Sequence, residues 1–217
     1  MPLNKQKGNM YGFVTHTFNI IKGKCPHACK YCYMNIFLQK ELRLDEKEFK
    51  EDLGENNYIF VGSSCDMFAE VISNEWIIRV LEYCNKFPKN KYLFQSKDPE
   101  RMTSFNKLFP KNTILATTIE TNRFGCNYNA PSTLNRYCHI KTSSYPIMIT
   151  IEPIIDFDLD ILVSWIKEIK PIQVNIGADS KGHNLPEPNK EKVLALIKKL
   201  EKFTNVFQKD NLKRLLK

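Results

Sequence analysis

Short apolar runs alternate with amphipathic stretches along most of this chain. Runs rich in β-branched and aromatic residues predict six strands, at residues 11–20, 57–62, 91–96, 112–120, 145–154 and 172–177. The stretches that follow carry apolar residues at helical spacing and predict helices, at residues 34–53, 73–84, 99–109, 131–142, 158–169 and 188–203. The pattern is therefore a strand followed by a helix, repeated along the chain.

This repeat predicts an α/β fold, in which a parallel sheet carries its helices on the outside. Right-handed crossovers curl such a sheet, and eight units would close it into a barrel of about 250 residues. Because the chain has 217 residues, we expect an open partial (β/α)6 barrel in a single domain. Its core would span about 11–180, followed by C-terminal helices at about 188–217. The functional site of this architecture lies at the carboxyl ends of the strands.

The composition narrows the functional classes only slightly. Hydrophobic residues make up 42% and charged residues 26%, as in ordinary globular proteins. We find neither a membrane-spanning apolar run nor the apolar core of a signal peptide, so we expect a cytoplasmic protein with reduced thiols and no membrane partner. The formal net charge of +8 favours an anionic partner such as nucleic acid but does not establish one.

Three of the seven cysteines stand together in the sequence KCPHACKYC, in the loop expected after the first strand. Under reducing conditions, the group of Cys25, Cys29 and Cys32 indicates metal binding rather than disulfides. Structural zinc and ordinary ferredoxin clusters use four protein ligands. His27 is a poor candidate for the fourth, because it lies so close in sequence to Cys25 and Cys29 that simultaneous ligation is difficult. Three thiolates would leave one iron of a [4Fe–4S] cluster open to a substrate or a cofactor.

The cysteine spacing, with Tyr31 before the third cysteine, resembles the motif of the radical S-adenosylmethionine (SAM) superfamily. The segments SSCDMF, FQSKDPERM, ATTIETNR, ITIEPI and VNIGADS are similar to those of spore photoproduct lyase-like proteins and of a phage-associated three-cysteine family. The resemblance covers approximately residues 12–180. It implies a cysteine-bound [4Fe–4S] cluster that splits SAM and releases a 5′-deoxyadenosyl radical for hydrogen abstraction. A one-electron reductant such as flavodoxin or ferredoxin is implied as a partner.

The same resemblance implies SAM contacts at the strand ends. Polar groups after the second strand would accept hydrogen bonds from the SAM amino group, and a cation after the third or fourth strand would pair with the SAM carboxylate. Residues at the ends of the fourth and sixth strands would hold the ribose and the adenine, respectively. The usual Gly-Gly-Glu after the second strand is absent. The candidates for SAM contacts are Tyr31, Ser63, Ser64, Asp66, Lys97, Thr118, Glu120, Arg123, Glu152, Asn175 and Gly177.

Several of these residues have an ordinary structural alternative. Ser63 and its neighbours could form a turn that satisfies its own backbone, and Lys97 could be a solvated surface lysine. Glu152 interrupts an apolar strand and needs a partner, which could be SAM, the substrate or a cation of the core. Gly177 could serve only to let the chain turn. Cys65 could donate a hydrogen atom to a product radical, as a cysteine does in the lyase, or be buried and inert.

The substrate stays open at this point, between nucleic acid for repair or modification and a small molecule or peptide. A non-catalytic Fe–S or zinc binding module is a further alternative, and a partner protein could close the wide barrel mouth. The basic segment 198–217 could meet phosphates, although a solvated helix face with Leu200, Phe203 and Phe207 packed inward is the simpler interpretation. The sequence assigns no role to Cys84, Cys126 or Cys138.

Overall fold

The computed structural model describes residues 3–5, 11–123 and 129–217. The strands within them are β1 (Leu3–Lys5), β2 (His16–Phe18), β3 (Ile21–Lys22), β4 (Arg43–Leu44), β5 (Tyr58–Val61), β6 (Lys91–Gln95), β7 (Thr113–Thr118), β8 (Ile147–Ile151), β9 (Gln173–Ile176) and β10 (Asn205–Gln208). The α-helices are α1 (Asn74–Asn85), α2 (Pro99–Ser104), α3 (Thr133–Ile140), α4 (Leu159–Ile169) and α5 (Lys190–Leu200). None of these helices is long and apolar enough to cross a membrane.

The main sheet has the strand order β1-β2-β5-β6-β7-β8-β9-β10. Every neighbouring pair is parallel except β1 with β2, which is antiparallel. Each strand from β5 to β9 is followed by one of the helices α1 to α5. In this order β1 and β10 are the two ends of the sheet. The predicted α/β partial barrel is thus confirmed, and so are its six strands, which correspond to β2 and β5–β9.

The local signals explain most of these elements. β8 is buried along its whole length, as expected for a parallel strand covered on both faces. The side chain of Ser73 accepts a hydrogen bond from the backbone N–H of Trp76 and caps α1. Pro99 opens α2, where its missing N–H costs nothing. The helices predicted after the second to sixth strands are confirmed; α1 is shifted by one residue and the other four are shorter than predicted.

The helix predicted at residues 34–53 is wrong. This part of the chain instead forms two short 3₁₀ helices on either side of a strand, at Tyr33–Ile36, Arg43–Leu44 and Glu46–Lys50. The strand β4 pairs antiparallel with β3 and forms a small second sheet. The pairing with β3 therefore overrides the helical pattern, and Leu42, Leu44 and Phe49 pack against the main core from the ribbon and the 3₁₀ helix that follows it.

Two contacts fix this ribbon. Lys22 forms ion pairs with Asp45 at 2.8 Å and with Glu48 at 2.5 Å, which ties the returning chain to β3. Gly23 lies so close to the opposite segment that a Cβ atom there would be 2.4 Å from the carbonyl oxygen of Glu41. Only glycine fits at this crossing.

The C-terminal prediction is partly wrong. Helix α5 is confirmed, but the following segment forms β10 and a 3₁₀ helix at Asp210–Leu215 instead of a further helix. Because β10 lies parallel to β9, it adds a seventh parallel strand to the sheet. Phe203 and Phe207 are 36% and 48% exposed, so they do not pack inward as expected. The new strand carries Lys209 to the carboxyl edge, where the site lies.

Side chains alternate between the two faces of the sheet. One face packs against the helices and forms the large core. The other face lines the barrel interior with a smaller apolar cluster, formed by Tyr11, Val14, Phe60, Leu93, Ala116 and Met148. Further along the same strands, towards their carboxyl ends, the interior becomes polar at Gln95, Thr118 and Thr150. This change marks the floor of a cavity.

Candidate active site

The cavity opens at the carboxyl ends of the parallel strands and has a volume of about 530 Å³. This size is typical of a small-molecule or cofactor site. It therefore lies where the fold predicts function. The cavity is lined by Tyr11, Cys29, Tyr31, Cys32, Tyr33, Phe60, Ser63, Gln95, Lys97, Thr118, Thr150, Glu152, Pro153, Ala178, Asp179, Ser180, Lys181 and Lys209.

The cysteine loop forms one wall of this cavity. Cys29 and Cys32 line it directly, and the backbone N–H of Cys32 donates to the carbonyl of Cys29 at 3.1 Å. Cys25 is half-buried beside Cys65, whose hydrogen bond lowers the pKa of the Cys25 thiol to about 6 and raises that of Cys65. Burial raises the pKa of Cys29 to about 11. The three cysteines predicted as ligands therefore share one loop at the strand ends, and all are free thiols.

The cysteine loop offers three free thiols as possible metal ligands. Within the described ranges, no three His, Cys, Asp or Glu side chains converge tightly enough to hold one metal ion. Tetrahedral zinc requires such convergence, whereas each thiolate of a [4Fe–4S] cluster binds a different iron. Three free thiols on one loop are the number of ligands that a cluster with one open iron needs, and such a cluster on Cys25, Cys29 and Cys32 stays a prediction.

Behind the cysteine loop lies a buried charge network around Glu120. Lys97 Nζ is 2.9 Å from Glu120 Oε1, and Arg136 Nη1 is 2.8 Å from Oε2. The Tyr31 hydroxyl also donates to Glu120, and Lys97 Nζ lies 5.1 Å from the centre of the Tyr31 ring. Burial alone would raise the pKa of Glu120, but Lys97 and Arg136 outweigh it and lower that pKa to about 2. Two cations face one carboxylate, so the network carries a net positive charge beside the cavity.

Asp66 belongs to a second buried cluster, away from the cavity wall. Its carboxylate is 2.9 Å from His27 Nε2 and accepts from the Ser96 hydroxyl at 3.0 Å and from the backbone N–H of Lys97 at 2.7 Å. Burial alone would raise the pKa of Asp66, and these bonds together with the charge of His27 lower it. Asp66 thus joins the cysteine loop to the end of β6. Its contact with the SAM amino group stays a prediction.

Glu152 and Lys209 form a charged pair on the opposite wall. Glu152 Oε2 lies 3.5 Å from Lys209 Nζ, which is also 4.8 Å from the centre of the Tyr11 ring. Burial raises the pKa of Glu152 despite the nearby lysine. Gly177 leaves room for this carboxylate and does not itself line the cavity. Glu152 therefore pairs with a cation, one of the alternatives considered from the sequence, and it also lines the cavity. Its contact with SAM or the substrate stays a prediction.

Other predicted contacts separate into two groups. Ser63 and Thr118 line the cavity, and Ser64 lies beside them with its backbone N–H donating to the side chain of Asn19 at 3.0 Å. Asn175 is fully buried below the cavity, where its side chain accepts from that of Gln173 at 2.8 Å.

Arg123 and Cys65 also lie apart from the cavity wall. Arg123 is 45% exposed and pairs with Asp156 and, at 2.6 Å, with Asp158. Cys65 is 2% exposed and packs into the main core, so its role as a hydrogen donor stays a prediction. Cys84 is buried in the same core, Cys138 is exposed on α3, and Cys126 lies outside the described residues.

Comparison with known proteins identifies the family. The profile of a family described as "Protein of unknown function (DUF5131)" matches residues 10–172. The chain belongs to this family. No curated protein matches the sequence significantly.

The fold of this DUF5131 protein is similar to that of spore photoproduct lyase. The lyase complexed with dinucleoside spore photoproduct has a TM-score of 0.67 at 10% identity, with 94% of this chain and 78% of the lyase covered. A doubly mutated lyase with bound AdoMet, which is SAM, and the same dinucleoside has a TM-score of 0.68 at the same identity and coverage. Native anSMEcpe with bound AdoMet and a peptide has a TM-score of 0.51 at 11% identity, covering 88% and 62% of the two chains. The fold is thus that of radical SAM enzymes.

Sequence reasoning missed several residues of this DUF5131 site, of which Lys209, Tyr11 and Arg136 make the contacts described above. Lys209 was missed because its segment was interpreted as a surface helix. Tyr11 was missed because it belongs to a run predicted only as an apolar strand. Arg136 on α3 is 1% exposed and donates to Glu120. The one available signal was Glu120 itself, since a carboxylate at the end of a buried strand requires a cation nearby.

Proposed function

We propose that this protein is a radical SAM enzyme, with a [4Fe–4S] cluster on Cys25, Cys29 and Cys32 and SAM in the adjoining cavity. The observation that carries the proposal is that Cys29 and Cys32 line the same cavity as Tyr31 and Lys97. A cluster held by these three cysteines would supply the one electron needed to split SAM reductively, the chemistry that generates a 5′-deoxyadenosyl radical for hydrogen abstraction.

The protein's own residues supply charge and shape around this chemistry. Lys97 presents a cation at the wall that would attract the SAM carboxylate. Glu120 and Arg136 hold Lys97 and Tyr31 in position through buried contacts. Ser63 and Thr118 add hydroxyl groups to the cavity lining, and Glu152 adds a carboxylate. Apolar walls at Tyr11 and Phe60 would keep water away from a reactive radical.

For the substrate, we propose nucleic acid, in a repair or modification reaction. The net charge of +8 supports this class because phosphate contacts dominate nucleic-acid affinity. The similar lyase structures contain a dinucleoside photoproduct. A small molecule or peptide is the competing class, and the structure of anSMEcpe contains a peptide. We extend the proposal to a cytoplasmic location, where thiols stay reduced, and to the phage association that the sequence resemblance implies.

Anaerobic reconstitution with iron and sulfide tests the enzyme proposal. After addition of dithionite and SAM, we expect the absorbance and spin signal of one reduced [4Fe–4S] cluster and the release of 5′-deoxyadenosine. The Cys29→Ala variant should lose both, while Cys138→Ala, which removes an exposed thiol on α3, should keep both. A wild-type protein that assembles the cluster but never releases 5′-deoxyadenosine would instead be a non-catalytic module.

Binding to DNA and RNA across a salt series tests the substrate class. A specific nucleic-acid enzyme should bind with an affinity that falls steeply with salt and exceeds that of an inert protein of equal charge. Equal affinities for the two proteins would favour the small-molecule or peptide substrate.

A further inference from the structure

An exposed apolar segment directly follows the cysteine loop. Its side chains Tyr33, Ile36, Phe37 and Leu38 are 44%, 64%, 54% and 96% exposed. Exposed apolar residues are usually scattered singly over a protein surface, whereas these stand together on one short segment. We call residues 33–38 the apolar tip.

The apolar tip is attached to the cysteine loop by several hydrogen bonds. The 3₁₀ helix of the tip begins immediately after Cys32, and the backbone N–H of Asn35 donates to the Cys32 carbonyl at 3.0 Å. The Asn35 side chain donates to the carbonyl of Cys29 at 3.1 Å. The Tyr33 hydroxyl donates to the carbonyl of Ser63 at 2.7 Å. A protein bound at the tip would therefore lie against the loop that carries the three cysteines.

The surroundings of the apolar tip are basic. Lys24, Lys30, Lys40 and Arg43 are exposed on the flanking chain, against one exposed acidic residue, Glu41. A backbone hydrogen bond of 2.9 Å from Lys24 to Lys40 brings the two flanks together. An apolar centre with a charged rim is the usual composition of a protein interface, and the sign of this rim selects an acidic partner.

We propose that the apolar tip and its basic rim form the docking surface for an acidic one-electron carrier protein of the flavodoxin or ferredoxin class. The inference rests on the proposed function, because only a redox cluster on Cys25, Cys29 and Cys32 needs such a partner. The reduced carrier loses one electron and the cluster gains it, with no bond made or broken. Electron transfer slows steeply with distance, so the carrier must dock close to the cysteine loop, where the tip projects.

The composition of the tip favours a protein partner over nucleic acid. Surfaces that bind single strands use aromatic rings on which bases stack. Tyr33 and Phe37 are rings of this kind, but the two most exposed side chains of the tip are the aliphatic Ile36 and Leu38, at 64% and 96%, and these cannot stack on a base. Burial of such side chains against an apolar partner surface does contribute to protein association.

Calorimetry of the reconstituted protein with oxidised flavodoxin tests the surface without relying on activity. We expect the Phe37→Ser/Leu38→Ser variant to bind about tenfold more weakly than wild type. The Lys40→Glu/Arg43→Glu variant should be about tenfold weaker at low salt and approach wild type at high salt.

Matched controls come from exposed positions elsewhere. Ile172→Ser/Leu194→Ser changes two apolar residues that are each 45% exposed. Lys107→Glu/Lys111→Glu reverses two exposed lysines before β7, at the opposite edge of the sheet. Both control variants should bind flavodoxin with the wild-type affinity. Equal affinities of the tip variants and the controls would overturn the proposal, as would a wild-type protein that does not bind flavodoxin.

The choice of reductant separates this proposal from the proposed function. With dithionite, which is small and needs no docking surface, the tip variants should release 5′-deoxyadenosine at the wild-type rate. With flavodoxin, their rate should fall about tenfold at subsaturating carrier. If wild type fails with dithionite, the enzyme proposal is wrong whatever the binding data show. If the tip variants lose DNA binding but keep flavodoxin binding, the tip is a nucleic-acid surface and the docking proposal is wrong.

Discussion

Glu152 occupies the space that Gly177 leaves open because glycine has no Cβ atom. A Cβ atom on Gly177 would lie 2.8 Å from both Cδ and Oε1 of Glu152, far inside van der Waals contact. The two residues follow the neighbouring strands β8 and β9, so the ends of these strands are matched to each other. A carboxylate is thereby held at the cavity wall, which makes the glycine more than a turn residue.

The Gly177→Ala substitution should therefore displace the Glu152 side chain. We expect SAM binding, measured by equilibrium dialysis on the reconstituted protein, to weaken about tenfold because a displaced polar group loses its alignment with the ligand. In a Glu152→Ala background the same substitution should change the affinity by less than about twofold, since the two effects share one cause. Additive losses in the double variant would show that Gly177 acts on the backbone instead.

Arg136 should be essential for stability because it faces a buried carboxylate. The Arg136→Met substitution removes one of the two cations that face Glu120. Loss of one partner from a buried ion pair typically costs about 3–5 kcal/mol. Urea denaturation should show this loss in the free energy of unfolding. The Arg136→Met/Glu120→Gln variant should recover part of it by removing the buried charge. Arg79→Met, which breaks the exposed pair with Glu46, should leave the unfolding midpoint nearly unchanged.

The strands could be predicted where their own residues form a hydrophobic pattern. Strands β5 and β8 are short, mostly apolar runs that are largely buried, and such runs are easily recognised in the sequence. In contrast, β10 has exposed side chains at three of its four positions, so its only signal is the backbone pairing with β9. The ribbon of β3 and β4 depends on ion pairs of Lys22 across more than 20 residues, which no local pattern reveals.

Parts of the site could be predicted where the type of a single residue and its position after a strand indicate its location. The spacing of the cysteines and the positions of Lys97 and Glu152 after apolar strands placed all of them at the correct edge. The geometry between residues was not accessible in the same way. Nothing local indicates that Arg136 reaches Glu120 or that Asp66 meets His27, because these contacts arise only when distant segments pack together.

The low pKa of Glu120 predicts how stability depends on pH. Its folded-state pKa is lowered to about 2 from an ordinary value of 4.5, so its stabilising contribution is full above pH 4.5. That contribution is lost as the pH falls towards 2. We therefore expect Glu120→Gln to destabilise the protein most at neutral pH, and the difference from wild type to shrink from pH 5 downwards. Urea titrations at several pH values measure this difference, and a constant difference would contradict the lowered pKa.

Lys209 should stabilise the charged form of Glu152. Burial raises the pKa of Glu152, and the Lys209 charge opposes that rise, so Lys209→Met should raise the pKa further. When the folded-state pKa of a carboxyl group is raised, the free energy of unfolding falls as the pH rises above the unfolded-state pKa, which is 4.5 for Glu152. The variant should therefore lose about 2 kcal/mol at pH 8 and less at pH 5, measured by urea denaturation. Adding Glu152→Gln should remove this pH dependence, because no carboxylate then remains to be charged. A Lys209→Met loss that is equal at both pH values would mean that the lysine acts only through its packing on Tyr11.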